Sequence, residues 1–293
     1  MLALGIAVPT LLIGAAFGIG FVIGPAVGGW LGMYSTRLPF WVAGAASLLN
    51  AIYGLFILPE SLLLESRQTR IQWKRANPIG ALRVFRSHAE LWGLAGVNFL
   101  GYLAHEIYAT VWILYVMYRF DWDQRMVGAG LAFAGVCSVI CSGGLVGPTV
   151  ARLGERRTLL LGLICGGLGF LLYGWAATVP TFFVAIAVNS LWSLANPASQ
   201  SLMTRRVSAS EQGELQGAIA SLRGLAMIIG PPVFAEIFAF SLHGDHQQPS
   251  APWYFAALLL AISLPVAWFV MKRNEGGAVH DCIVPVEVET NVE

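Results

Sequence analysis

Charged residues are scarce in this chain: Asp, Glu, Lys and Arg make up only 11% of its 293 residues, with 16 acids, 17 bases and a net charge of +1. A soluble domain carries about 25%, so an ordinary water-soluble fold is excluded. No nucleic-acid partner is expected. Cysteine is scarce too: Cys137, Cys141 and Cys165 fall in apolar runs and Cys282 near the end, which offers no disulfide framework. No cluster of metal ligands, phosphate-cradling loop or nucleophile-and-base set is present, so neither an enzyme nor a cofactor is expected. Met1 is followed by Leu-Ala-Leu with no basic stretch, a poor match to a cleaved signal peptide.

What fills the sequence is apolar: 57% of residues, with a mean hydropathy of +0.69. A spanning helix needs about 20 mostly apolar residues. Eight segments qualify, near 11–34, 39–58, 91–117, 127–148, 158–177, 179–203, 215–240 and 252–271. They are long and continuous rather than alternating, which argues against a lipid-embedded barrel. The expected fold class is all-α, a polytopic membrane helix bundle with the lipid bilayer as its solvent.

The basic residues are ordered along the chain. Residues 59–89 hold Arg67, Arg70, Lys74, Arg75, Arg83 and Arg86; Arg152, Arg156, Arg157, Arg205, Arg206, Lys272 and Arg273 fall in alternate later connections. The intervening connections hold only Arg37, Arg119 and Arg125. Basic loops stay inside, so these connections and both termini are expected on the cytoplasmic side of a plasma or inner membrane. The expected organisation is a helix pair in 1–58, a cytoplasmic linker in 59–89, a six-helix bundle in 90–271 and a disordered acidic tail in 272–293.

One pattern repeats. Gly20-Phe21-Val22-Ile23-Gly24-Pro25-Ala26-Val27-Gly28-Gly29 is followed by a turn and Pro39-Phe40-Trp41, while Gly230-Pro231-Pro232 is followed by a turn and Pro252-Trp253-Tyr254. Two similar helical hairpins point to a transporter built from related halves. Gly20, Gly24, Gly28 and Gly32 form a small-residue stripe that Ala134, Ser138 and Ser142 match in spacing, so these faces are expected to pack.

The ten-residue segment resembles the antiporter motif of the drug/proton branch of the major facilitator superfamily, and the chain resembles the tetracycline-resistance type over nearly its full length. Tyr108-Ala109-Thr110-Val111-Trp112-Ile113-Leu114-Tyr115 with Arg119-Phe120-Asp121-Trp122 is similar to that family's helix-seven end. Asn196-Pro197-Ala198-Ser199-Gln200-Ser201-Leu202 and Glu211-Gln212-Gly213-Glu214-Leu215-Gln216-Gly217 resemble its helix-ten to helix-eleven connection. Gly147, Arg152, Gly154, Arg156 and Arg157 match a remnant of the superfamily's gating motif, with Ala151 where an Asp is expected. A conformational latch and a simple inside-facing charge cluster both fit that connection.

Charges within spans are costly, about 2.5 to 3.5 kcal/mol at a helix centre, and so need a partner, a watery cavity or a function. Glu106 and Arg223 are the candidates for proton coupling; Glu236 lies nearer the outer edge, where it is expected to meet water. His105, on a different face from Glu106, is expected to be a packing histidine. Trp112, Tyr115 and Trp192 are candidates for the aromatic wall of a substrate cavity, with Asn189, Asn196 and Gln200 as its polar groups. Tyr118, Trp122, Trp253 and Tyr254 are expected at the membrane interface.

The resemblance implies alternating access and proton-driven export of a small amphipathic compound, with protons as the second partner. It further implies that the chain corresponds to helices five to twelve of the family fold. With four helices fewer than the family pattern, the chain is expected to be inactive alone, needing the missing N-terminal helices or another copy. A non-transporting membrane partner and a receptor-like ligand-binding protein are the alternatives.

Overall fold

The computed structural model describes residues 37–57, 91–208, 211–243 and 248–273, with Phe85, His88 and scattered positions between Gly20 and Ser35. Among the described residues every regular element is helical. Among the described residues six helices are long and apolar enough to cross a membrane: Leu38–Ile57, Trp92–Phe120, Gln124–Trp175, Val179–Thr204, Gln212–Leu242 and Ala251–Val270. The first is α1, and Trp92–Phe120 is α2. The expected span 11–34 and the linker lie largely outside the described residues, as do Pro25, Gly29 and the tail beyond Arg273.

Gln124–Trp175 is 52 residues long, about 78 Å if straight, more than twice the hydrocarbon thickness. It is not straight. Gly154 stands at φ 76° and ψ 165°, a backbone region open only to glycine without strain, and it divides the run into α3 (124–153) and α4 (155–175). Thr158 closes the first turn of α4, its hydroxyl donating to the Gly154 carbonyl at 2.7 Å. The two spans expected in this region therefore run as one helical stretch broken at a glycine.

α5 covers Val179–Thr204. Thr178 starts it with a capping box to Thr181, which satisfies backbone donors that have no helical partner. Pro197 removes one helical donor, and the turn before it tightens to a 3-10 segment at Leu191–Leu194. α6 is Gln212–Leu242, with Pro231 and Pro232 inside it, and α7 is Ala251–Arg273. α7 packs against α2 and α4, α6 against α2, and α5 against α4.

Glycines let α4 and α5 approach closely. A Cβ at Gly162 would stand 2.7 Å from the Ala195 nitrogen, one at Gly166 2.7 Å from the Trp192 ring, and one at Gly169 2.5 Å from the Asn189 Cβ. Their spacing puts them on one face of α4, and with little hydrophobic drive between helices in lipid such contact is what holds them.

Trp122, just past the end of α2, and Trp253, in the first turn of α7, are covered by protein, being 4% and 0% exposed. Asp121, at φ 52°, ends α2 in a left-handed turn and folds Trp122 back over Gly130, where a Cβ would stand 2.7 Å from its ring. Trp253 stacks on Tyr173 with ring centres 4.6 Å apart. Both rings are held by other aromatics. Tyr118 and Tyr254 stay exposed.

α1 buries none of its residues. Gly20, Gly24, Gly28 and Gly32 meet no atom within 4 Å of where a Cβ would stand, so the expected seam with Ala134, Ser138 and Ser142 is not formed. Small residues permit close approach but provide little attraction of their own.

Candidate functional site

Glu106 sits one residue before the last residue of the α-helical part of α2; from Tyr108 to Trp112 the helix widens into a π turn. The Thr110 hydroxyl donates to the Glu106 carbonyl at 2.9 Å and so ties the residue to the widened turn. Such π turns inside α-helices frequently mark functional positions. The Glu106 side chain is half-buried and lies on Gly230 of α6: a Cβ there would come within 2.5 Å of both its Cβ and its Cγ. The in-span carboxylate therefore rests on the first residue of the Gly-Pro-Pro segment.

Arg223, two turns earlier on α6, is exposed and close enough to Tyr102, His105 and Glu106 to act electrostatically on all three. It reaches them through space rather than through a formed ion pair. His105 has an exposed edge as well, and its ring packs with centres 5.3 Å from Tyr108 and 6.0 Å from Trp192. Trp192, Asn196 and Gln200 recur at four-residue spacing on α5, which places them on one side of that helix. Trp192 and Gln200 are half-buried and Asn196 is exposed. His105, Glu106 and Arg223 thus form an open polar group, and Trp192 touches it from α5.

The remaining candidates named from the sequence lie in the packed interior. Trp112 is 3% exposed and Tyr115 fully buried. Trp112 packs on Trp122 and Phe182; Tyr115 stacks on Phe182 and donates to the Tyr173 carbonyl at 3.1 Å. Both face the helix core, so of the three aromatics expected to wall a cavity only Trp192 borders the open face. Asn189 is also buried: its Oδ1 accepts from the Tyr108 hydroxyl and its Nδ2 donates to the Gly166 carbonyl at 3.2 Å. It joins α2, α4 and α5 rather than lining open space. Glu236 is exposed.

Two groups escaped sequence reasoning. Asn98 accepts from Ser199 at 2.9 Å and donates to the Met203 sulfur at 3.0 Å, a polar crosslink between α2 and α5. Glu155 pairs with Arg205 at 2.7 Å and accepts from Ser201 at 2.5 Å, joining the start of α4 to the end of α5. Its signal was available: an acid directly after Gly154 among arginines. In the gating-motif remnant, Gly154 makes the break, Arg156 and Arg157 follow Glu155, and Gly147 and Arg152 lie on the exposed side of α3.

These features define a multi-pass helical membrane protein with ionisable groups on an open intramembrane face. The family model of the Major Facilitator Superfamily matches residues 10–148 and 94–281. Tetracycline resistance protein, class C, of Escherichia coli is 30% identical over 87% of this chain and 63% of its own length. The class G protein of Vibrio anguillarum is 33% identical over 86% and 63%. The human organic anion transporter MFSD10 (TETRAN) has a similar fold, with a TM-score of 0.73 at 23% identity over 88% of this chain and 62% of that one. The chain belongs to the Major Facilitator Superfamily and is related within it to the tetracycline resistance proteins. It spans less than two thirds of the length of these relatives.

Proposed function

We propose that this protein is a proton-coupled exporter of small amphipathic compounds, in which Glu106 carries the coupling proton and Arg223 responds to its charge. The observation that carries this reading is the seating of Glu106 on Gly230, at a π turn, with Arg223 in electrostatic reach. A carboxyl so placed is an intramembrane proton carrier by position, since it combines partial access with a nearby cation. The relatives named for tetracycline resistance support a drug-like substrate. Trp192, Asn196 and Gln200 would border the substrate from α5, whereas Trp112, Tyr115 and Asn189 would act by holding the helices that present it.

The expected eight spans correspond in this reading to helices five to twelve of the family fold, with both termini cytoplasmic. Alternating access requires two bundles moving about a site between them. The open polar face and the unburied α1 are surfaces that further helices would cover. Transport accordingly needs such helices, from a longer chain, a co-expressed segment or another copy. The test is reconstitution in liposomes under an imposed proton gradient, with residues 1–293 alone and with an added four-helix segment from a tetracycline-resistance relative. Proton-linked flux in the second case only is expected. Flux in neither, with both proteins folded and inserted, would overturn the exporter reading.

A further inference from the structure

We propose that the π turn in α2 is a movable register shift that swings Glu106 between Gly230 on α6 and Trp192 on α5. Residues seven apart on an unbroken α-helix point within about 20° of one another. Across Tyr108–Trp112 that rule fails: His105 has an exposed edge where Trp112 is buried, and Ala109 is exposed where Val116 is buried. A spacing of eight restores the match. Ala104 and Trp112 are both buried, as are Ile107 and Tyr115, while His105 and Ile113 are both exposed, as are Ala109 and Met117. The π turn therefore accommodates one residue more than an α-helix would. The Thr110 hydroxyl, bonded to the Glu106 carbonyl at 2.9 Å, is the kind of back-bond that bends a helix and favours the opening.

Moving a widened turn along a helix exchanges one set of backbone bonds for another of the same kind, and only the residues it crosses turn, each by about 100°. Migration toward the inner end, past Ile107 and Glu106, turns Glu106 into the direction that His105 now holds, and the His105 ring lies 6.0 Å from Trp192. Asn98, held by Ser199 and Met203, and Tyr115, held by Tyr173, lie outside the crossed stretch and keep their packing. Charge supplies the drive. Arg223 acts on Glu106 from α6, so the ionised carboxylate is held on the Gly230 side, and the protonated one loses that attraction. Toward Trp192 it enters the border formed with Asn196 and Gln200, where proton and substrate exclude each other. The switch rests on the reading of Glu106 as proton carrier and adds the motion by which its protonation displaces the substrate.

The test combines Glu106→Cys with Arg223→Cys or with Trp192→Cys, in the full chain lacking its native cysteines, and joins each pair in detergent with a short bifunctional thiosulfonate. Both pairs should crosslink. Deleting Ala109 removes the extra residue, so that a regular α-helix keeps Glu106 toward Gly230 and the aromatic core in place. In that variant the pair with 223 should still crosslink and the pair with 192 should not. Supplied with the additional helices, the deletion variant with Glu106 intact should lose proton-driven export. Crosslinking to 223 alone in the chain without the deletion would overturn the switch, whether or not the deletion variant folds. So would a folded deletion variant that exports at the parent's rate. The proton-carrier reading is separable: it stands if Glu106→Gln removes the pH dependence while the deletion is harmless, and falls with the switch if Glu106→Gln is harmless too.

Discussion

Glu106 and Gly230 share one small volume: a methyl group on Gly230 would lie 2.5 Å from both the Cβ and the Cγ of Glu106. These atoms are near the backbone and cannot swing away as a flexible tip would. Gly230→Ala should therefore cost about 1 to 3 kcal/mol through overpacking, seen as a lower unfolding temperature in detergent. Glu106→Ala removes the Cγ contact, so the double variant should recover part of the loss. Strict additivity of the two single effects would show that they are not in contact.

Tyr108 and Asn189 provide a second test, now of packing. Asn189 is 7% exposed, and Tyr108→Phe would leave its Oδ1 without the hydroxyl that donates to it. A buried acceptor left unpaired costs about 1 to 3 kcal/mol. The unfolding temperature of Tyr108→Phe should fall accordingly, and pairing it with Asn189→Leu should restore some stability by removing the orphaned group. A Tyr108→Phe protein as stable as the parent would contradict the crosslink.

The sequence made Glu106 and Arg223 conspicuous because a charge in an apolar run stands out whatever surrounds it. It also displayed the Gly-Pro-Pro segment as an echo of the earlier motif. Their contact was not legible, since nothing in either segment specifies which helix lies opposite. Trp112 and Tyr115 show a second limit. In lipid, core-facing and outward-facing positions are both apolar, so aromatic spacing identifies a face without saying what it meets. His105, expected as a packing histidine, packs its ring on Trp192 at the edge of the open face. The Gly162, Gly166 and Gly169 stripe went unread in the sequence, since only the close approaches of Ala195, Trp192 and Asn189 give it meaning.

At the connection between α3 and α4, Ala151 replaces the acid that the gating motif leads one to expect, and Glu155 pairs across to α5 instead. The Arg205 side chain is 73% exposed while that of Glu155 is 13% exposed, so solvent screens the pair. A double-mutant cycle with Glu155→Gln and Arg205→Gln should give a coupling of about 0.5 to 1 kcal/mol in thermal unfolding, smaller at high salt. Zero coupling at low salt would mean that the two residues act independently.

Orientation is testable by labelling. The basic stretch around Lys74 contrasts with the connection near His243 to Pro249, which has no Lys or Arg. Single cysteines at Gln72 and Gln247, in a background lacking Cys137, Cys141, Cys165 and Cys282, should react differently with an impermeant maleimide outside intact cells. Labelling at 247 and not at 72 is expected from the charge asymmetry. The opposite pattern would reverse the topology.

The central claim is that Glu106 carries the coupling proton. Its most direct measurement compares Glu106→Gln with Glu236→Gln in everted vesicles, in the protein supplied with the additional helices, by following export across a range of pH. Glu236 is exposed and away from Gly230, so its amide should leave the pH profile as in the parent. Glu106→Gln, which keeps the side-chain volume on Gly230 and removes only the titrating group, should reduce proton-driven export at least about tenfold, as loss of an essential proton carrier does, and flatten its pH dependence. A normally inserted Glu106→Gln protein that keeps the parent's rate and pH profile would contradict the account.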